Sequence, residues 1–323
     1  MKFNYHIFAL AVSFAGPSAS AVTLPGIPEF IDEMVVRHHF NRVELEMVFD
    51  NAQHLPAVIE AILRPATSKP WLEYRAAFVN PQRVRYGLEF WKKYLKTLRR
   101  AEKEFNVPQE IIIALIGVET IYGINKGTFR TLDALTTLAF DFPRRKEFFR
   151  SELENYLLLA RDQQLDLNTI LGSYAGALGI PQFMPSSYRS YAVDFNGNQK
   201  VDLLNEPADA IGSVANYLKN YGWINSTPIA VRAKVAEKAW VGEITAQRPI
   251  AAWKAVGIVP QKILPQDQPA RLLDFTVAEG KELWLVLNDF EVITRYNNSD
   301  FYAMTVFQLA EELKAARKTK AAR

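Results

Sequence analysis

A mainly α chain with a small β subdomain, an α+β class, is predicted by three features of the sequence. Helix-period apolar spacing runs over most of the stretch up to Trp223, short segments rich in β-branched and aromatic residues follow it, and helical spacing returns from Tyr302. With 323 residues, 49% hydrophobic and 23% charged, the chain carries enough apolar side chain for two or three packed units. That composition excludes disorder as the main state.

The first 21 residues hold Lys2, an apolar stretch from Ile7 to Ala15, Pro17 and the small residues Ala19, Ser20 and Ala21, which together predict a secretory signal cut after Ala21. Residues 28–98 have a helical pattern, including Val43 to Met47 and the aromatic run Phe90 to Tyr94. Pro65, Pro70 and Pro81 punctuate this stretch and predict a long connecting loop around Trp71 and Tyr74. Helices dominate again from Val107 to Trp223: Pro108 opens one at its first turn, and Arg145 to Asp162 keeps helix-period spacing. Pro228 to Val235, Arg271 to Val277 and Leu283 to Leu287 read as strands separated by turn residues. A last helix is expected over Tyr302 to Lys314, packing back on the earlier helical part, before a basic tail at 314–323.

Charge and cysteine usage narrow the function classes. The net charge is +3; losing Lys2 with the leader leaves +2, and setting aside Lys314, Arg317, Lys318, Lys320 and Arg323 leaves a body of −3. A mildly acidic body offers no general phosphate-binding field, so nucleic acid is not an expected partner. The tail reads as a solvated, frayed end or as a contact for an anionic envelope polymer or membrane surface. Cysteine is absent, which removes disulfides, thiolate nucleophiles, cysteine zinc sites and a thiol-linked lipid anchor. No uninterrupted apolar run is long enough to span a bilayer, so a soluble, periplasmic protein is expected. His38 and His39 are adjacent and His54 stands apart, a spacing that does not suggest zinc.

Two segments carry chemistry. In Ile111 to Gly123, Glu119 is the one carboxylate in a run that otherwise reads as buried. Desolvation disfavours an ionised carboxyl, so Glu119 is placed to stay protonated near neutrality and act as a general acid. Gly123, one turn later, is expected to leave space beside it for a substrate. The second segment, Gly172 to Tyr188, holds Ala175, Gly176, Ala177 and Gly179, which permit close backbone approach, with Ser173 and Gln182 as neutral hydrogen-bonding groups that suit a sugar.

Gly117-Val118-Glu119-Thr120 followed by Gly176-Ala177-Leu178-Gly179-Ile180-Pro181-Gln182-Phe183-Met184-Pro185-Ser186-Ser187-Tyr188 resembles the lytic murein transglycosylase B family. Further matching stretches are Pro70 to Arg75, Tyr122 through Arg145, Asp209 to Tyr217, and Thr294 to Asn297, so the similarity spans most of residues 28–315. The resemblance implies a lysozyme-like catalytic core over 99–227 completed by about 293–301, a helical α domain over 28–98 completed by 302–313, and a small β domain over 228–292. It implies cleavage of the β-1,4 bond between N-acetylmuramic acid (MurNAc) and N-acetylglucosamine (GlcNAc) in peptidoglycan glycan strands, leaving 1,6-anhydromuramoyl ends without addition of water. Matched by motif, Glu119 is the catalytic acid and base, and Ser173, Gln182 and Tyr217 line the cleft. Tyr74, Arg144, Arg145, Tyr296, Asn297 and Tyr302 match other cleft positions. Cell-wall enzyme complexes are a further class of partner to expect. An arginine beside Glu119 would lower its pKa against the effect of burial, so neither Arg144 nor Arg145 is expected to touch it without ligand.

The loop from Asp194 to Asn205 places oxygen donors on Asp194, Asn196, Asn198, Asp202 and Asn205, with the Lys200 carbonyl between them, approximating an EF-hand calcium loop such as the family has here. Gln199 stands where the sharp turn favours glycine, and Asn205 where a bidentate Glu is usual. Weak binding of structural Ca2+ and a metal-free loop both remain open, and the chemistry itself requires no cofactor. Two other readings of the whole protein stay open. A hydrolysing muramidase would need a second carboxylate opposite Glu119, for which Asp133 and Asp141 are candidates, and a non-enzymatic peptidoglycan-binding protein would keep the cleft without turnover.

Overall fold

The computed structural model describes residues 24–64, 69–236 and 246–321; the expected leader lies outside this range. Six helices lead to the central one: α1 (Ile27–His38), α2 (Arg42–Asp50), α3 (Pro56–Leu63), α4 (Trp71–Phe78), α5 (Pro81–Lys93) and α6 (Leu95–Phe105). Asn41 and Asn80 start α2 and α5 by accepting from the backbone N–H of Glu44 and Arg83. The long loop expected around Trp71 and Tyr74 is instead α4. Pro70 stands just before its first turn, where the missing N–H costs nothing, and Trp71 and Tyr74 share one buried face three residues apart.

Helix α7 (Gln109–Thr120) is apolar all round and buried along nearly its whole length, as a helix enclosed by others must be. It lies against α5, α6, α11 (Pro207–Asn220) and α14 (Asp300–Ala321). Between α7 and α11 run the short strand β1 (Phe129–Arg130), α8 (Thr131–Asp141), a 3₁₀ turn at Pro143–Arg145, α9 (Lys146–Gln163), β2 (Leu171–Gly172) and α10 (Pro185–Tyr191). Strands β1 and β2 pair antiparallel, Phe129 opposite Gly172, and bring the Gly172–Phe183 loop back towards the end of α7.

The later part forms a five-stranded antiparallel sheet in the order β4-β6-β7-β3-β5, from β3 (Ala230–Val235), β4 (Arg248–Pro249), β5 (Ile258–Pro260), β6 (Pro269–Val277) and β7 (Gly280–Val286), with α12 (Ile250–Ala255) following β4. Val231, Leu272, Leu285, Ile258 and Trp253 form a small apolar core of the sheet itself, while Phe275, Trp284 and Val286 join the main helical core. Helices α13 (Asn288–Tyr296) and α14 then return to the helical part. Helix α14 runs past Lys314 through most of the expected tail. Lys314 pairs with Glu110 at 2.7 Å and Arg317 stacks on Trp91 at 4.2 Å, so two of the five tail cations are held on the helical body.

Candidate active site

Glu119 stands one residue from the C-terminal end of α7, where the helix stops in an unusual turn. Ile121, Tyr122 and Gly123 all have positive φ, at 52°, 62° and 89°. Gly123 therefore lies in the turn and not on the helix face above Glu119, contrary to the helical extrapolation. A side-chain bond network keeps this turn closed: the Thr120 hydroxyl donates to the Ile180 carbonyl at 2.7 Å and accepts from the Gly123 N–H at 2.9 Å. Tyr296 donates from the other side to the neighbouring Pro181 carbonyl at 2.5 Å. The Gly172–Phe183 loop is thus tied to the helix end that carries the carboxyl group.

Glu119 as a residue is half-buried, and burial pushes the pKa of its carboxyl group up to about 7 from 4.5. Tyr302, from α14, donates its phenolic O–H to Oε1 and partly offsets the effect of burial. Burial followed by the charge of Glu119 raises Tyr74 to about 12 and pushes Tyr296 and Tyr302 well above the usual range, so Tyr74 of α4 and Tyr296 of α13 lie within reach of the charge that Tyr302 of α14 binds directly. Tyr296 and Tyr302 stack with ring planes 11° apart. Tyr217 joins through Tyr296, at 4.9 Å between ring centroids, and donates to the Arg295 carbonyl at 2.7 Å. Asn297, just past the end of α13, is exposed.

Ser173 and Gln182 first serve their own loop. The Ser173 hydroxyl accepts from the N–H of Ala175 and Ala177, and the Gln182 amide donates to the carbonyls of Lys126 and Gly179. The glycines here pack against the protein's own chain: a Cβ at Gly176 would strike Leu135, and one at Gly179 the Leu203 carbonyl. Arg144 and Arg145 neither hydrogen-bond nor ion-pair with Glu119. Arg145 lies over the rings of Phe148 and Phe149 and acts on the buried Glu152, and Arg144 is exposed.

The carboxylates considered for a hydrolytic water are both engaged elsewhere. Asp133 is buried, bound by the Arg130 guanidinium at 2.7 Å and by the Gln53 N–H at 2.8 Å. Asp141 is exposed and pairs with His54 at 2.8 Å. The proton affinity of Glu119 is set by burial and Tyr302, with no second carboxylate acting on it among the described residues.

The Asp194–Asn205 loop has an ordered first half. Asp194 accepts from the N–H groups of Gly197, Asn198 and Gln199, Asn196 from that of Asn198, and Asn198 from that of Lys200. Gln199 adopts the left-handed turn with φ 69°. In the second half, Asp202 caps its own turn at Leu204 and Asn205, and the Asn205 amide donates back to Asp202 at 3.2 Å. Asp209, which sequence spacing did not single out, is fully buried and accepts from the N–H groups of Phe195, Asn196 and Asp202, closing the loop onto α11. Among the described residues no group of three or more His, Asp or Glu side chains is arranged to hold a metal ion. Asp194, Asn196, Asn198 and the Lys200 carbonyl are oxygen donors of the kind a hard cation takes, while the side-chain oxygens among them accept from the loop's own N–H groups.

The family model for the transglycosylase SLT domain matches residues 24–311. Membrane-bound lytic murein transglycosylase B of Escherichia coli strain K12 is 44% identical over 303 residues, covering 91% of this chain and 84% of that protein. The soluble lytic transglycosylase SltB1 from Pseudomonas aeruginosa superposes with a TM-score of 0.85 at 43% identity, covering 91% of this chain and all of that one. The Escherichia coli lytic transglycosylase Slt35, solved with bulgecin A and separately with calcium, gives the same TM-score and identity over 91% of this chain and 94% of its own. The lysozyme-like fold implied by the motifs is the fold of these neighbours. With the family model covering nearly all of the described chain and the relatives matching 91% of it, this chain belongs to the lytic murein transglycosylases of the SLT domain family.

Proposed function

We propose that Glu119 serves as both acid and base in cleaving the MurNAc-β-1,4-GlcNAc bond and closing the muramoyl sugar to a 1,6-anhydro end. The protein is a lytic murein transglycosylase, an enzyme that acts on peptidoglycan. What supports the finer reading is a carboxyl group whose pKa burial pushes up to about 7, with Tyr302 bound to it, Tyr74 and Tyr296 within reach of its charge, and no second carboxylate acting on it among the described residues. Protonated Glu119 gives its proton to the glycosidic oxygen as the bond to the muramoyl anomeric carbon breaks. The sugar's own acetamido oxygen stabilises the cationic carbon in place of an enzyme carboxylate. The ionised Glu119 then takes the proton of the 6-hydroxyl, whose oxygen bonds to the anomeric carbon. Each proton and bond is accounted for without water. A tethered hydroxyl reaches effective molarities of about 10⁵ M or more, against about 55 M for water, so ring closure wins if the sugar is held in place.

Tyr74, Tyr217, Tyr296 and Tyr302 supply ring faces and phenols for the sugars. Ser173, Gln182 and Asn297 supply neutral hydrogen-bonding groups, and Arg144 and Arg145 supply guanidinium forks for a muramoyl lactate or stem-peptide carboxylate. The same reading divides the mature chain into a helical α domain (28–98 with 302–313), a catalytic core (99–227 with about 293–301) and a β domain (228–292), with the separate apolar core of the sheet in support. Mass spectrometry of digested sacculi tests the reaction: anhydro products are expected, and products one water heavier would replace this reading with hydrolysis. An active Glu119→Gln variant would remove Glu119 from the chemistry. Binding to sacculi by wild-type protein without any product would favour a binding protein.

The Asp194 loop is proposed to take calcium weakly, through Asp194, Asn196, Asn198 and the Lys200 carbonyl, with Asp202 and Asn205 turning in to complete it. The ion would brace the loop beside α11 and has no part in the bond chemistry. Calorimetric heat and a rise in melting temperature with millimolar calcium are expected, and neither would appear with a metal-free loop. The protein is further proposed to be periplasmic and not lipid-anchored. The leader ending at Ala21 supports the first point. The absence of cysteine from the sequence leaves a thiol-linked lipid no acceptor, and no helix among the described residues is long and apolar enough to cross a membrane. Release with the periplasmic fraction without detergent is the expected outcome of cell fractionation.

A further inference from the structure

We propose that Arg83 is a positioning residue for Glu119, holding the carbonyl end of α7 and thereby the direction in which the carboxyl group leaves the helix. Arg83 is 8% exposed, and the hydrogen bonds of its guanidinium among the described residues go to backbone carbonyls and not to a carboxylate. Its Nη1 donates to the carbonyls of Gly117 and Val118, the latter at 3.3 Å, and its Nη2 approaches the Ala77 carbonyl at 3.5 Å. A buried guanidinium without an acid partner carries a large desolvation cost unless other acceptors meet it. Two of the acceptors are carbonyls in the last turn of α7, where the helix dipole is negative: Gly117, which also accepts from the Ile121 N–H at 3.2 Å, and Val118. Phe78 covers the guanidinium, 5.2 Å from its ring centroid.

A second element locks the same point from the opposite side of the chain. The Tyr122 hydroxyl donates to the Arg83 backbone carbonyl at 2.9 Å. Its ring fills the space over Gly117, where a Cβ would lie 2.6–2.8 Å from the phenol, and a Cβ on Gly87 of α5 would strike the same phenol. Arg83 thus grips the helix carrying Glu119, and Tyr122, three residues beyond Glu119, grips Arg83. The left-handed turn between them includes β-branched Ile121, in a conformation that is strained for such a side chain and persists only where its surroundings fix it. Tyr302 binds the carboxyl group from α14; Arg83 reaches the backbone of the helix that carries it from α5.

This inference rests on Glu119 being the acid, and soluble glycan strands of defined length separate the two questions. Arg83→Met is expected to lower kcat by about ten- to a hundredfold, the scale of a 1 Å misplacement, with KM within about threefold of wild type. The loss should be equal from pH 5 to 8, because the guanidinium faces carbonyls and not the carboxyl group. Arg83→Lys keeps the charge without the fork and is expected to lose less in kcat, with the same split. A folded Arg83→Met with wild-type kcat, or with its loss confined to KM, would overturn the proposal. If that variant does not fold, wild-type kcat in Arg83→Lys would overturn it equally. Glu119→Gln run alongside keeps the readings apart: its inactivity with an unaffected Arg83→Met sinks only the role of Arg83, whereas its activity sinks the role of Glu119.

Discussion

Glu119 is held where its neutral form is favoured, and that choice has a measurable cost. Its carboxyl ionises near 4.5 when unfolded and near 7 when folded, so between these values the unfolded chain releases the proton first and stability falls as pH rises. Glu119→Gln, which cannot ionise, is therefore expected to be inactive. At pH 8 it should be more stable than wild type by about 3 kcal/mol at most, because each tenfold change in proton affinity is worth about 1.4 kcal/mol. The difference should close as pH falls to 4.5, as urea titrations at the two pH values would reveal. Tyr302 acts in the opposite direction by donating to the ionised carboxyl. Tyr302→Phe is expected to raise the pKa of Glu119, moving the alkaline limb of kcat/KM to higher pH, and a limb that stays in place or moves down would contradict this. The burial that raises the pKa of Glu119 was legible in the sequence, because it is the one carboxylate in the apolar run from Ile111 to Gly123. Arg83 was not, since its partners are backbone carbonyls 34 and 35 residues away and no residue pattern marks them.

Helix α7 ends by a device of side chains more than by propensity. Thr120, fully buried, satisfies the Ile180 carbonyl and the Gly123 N–H with one hydroxyl. Thr120→Val keeps the shape and leaves both groups unpaired, so a loss of about 1–3 kcal/mol is expected in chemical denaturation. Activity should fall with it, because the loop carrying Gln182 is tied at that hydroxyl to the helix that carries Glu119. Helical periodicity carried the sequence reading well inside elements such as α9 and failed at their ends. It extrapolated α7 through Gly123, where the chain turns left-handed, and it read a loop at Trp71, where proline preceded a helix instead of preventing one. Local spacing describes the inside of an element; what stops it is a partner from elsewhere in the chain.

At the scale of the molecule, the β sheet is joined to the returning helices by Arg271. Its guanidinium meets Glu291 of α13 at 2.9 Å and Asp300 of α14 at 2.6 Å. Both acids are about one-third exposed, so solvent screens the pairs, and Arg271→Gln is expected to cost about 1 kcal/mol at low salt. The difference should shrink in molar sodium chloride as screening removes it. Helix α14 is the member that makes the site whole: it supplies Tyr302 and packs against α4, α5, α7 and α13. It also takes up most of the stretch read as a frayed basic tail, because Glu110 and Trp91 offer its cations partners that composition does not disclose. The sequence by itself determined the class of the fold, the family and the isolated acid, since apolar periodicity and the motifs around Glu119 are local properties of the chain. Only the tertiary structure decided that Tyr302 binds that acid with Tyr74 and Tyr296 within reach of its charge, that Asp133 and Asp141 are engaged elsewhere, and that Arg83 holds the helix end. Proton affinity and direction depend on groups from four helices meeting at one point, and chain order does not specify such distances.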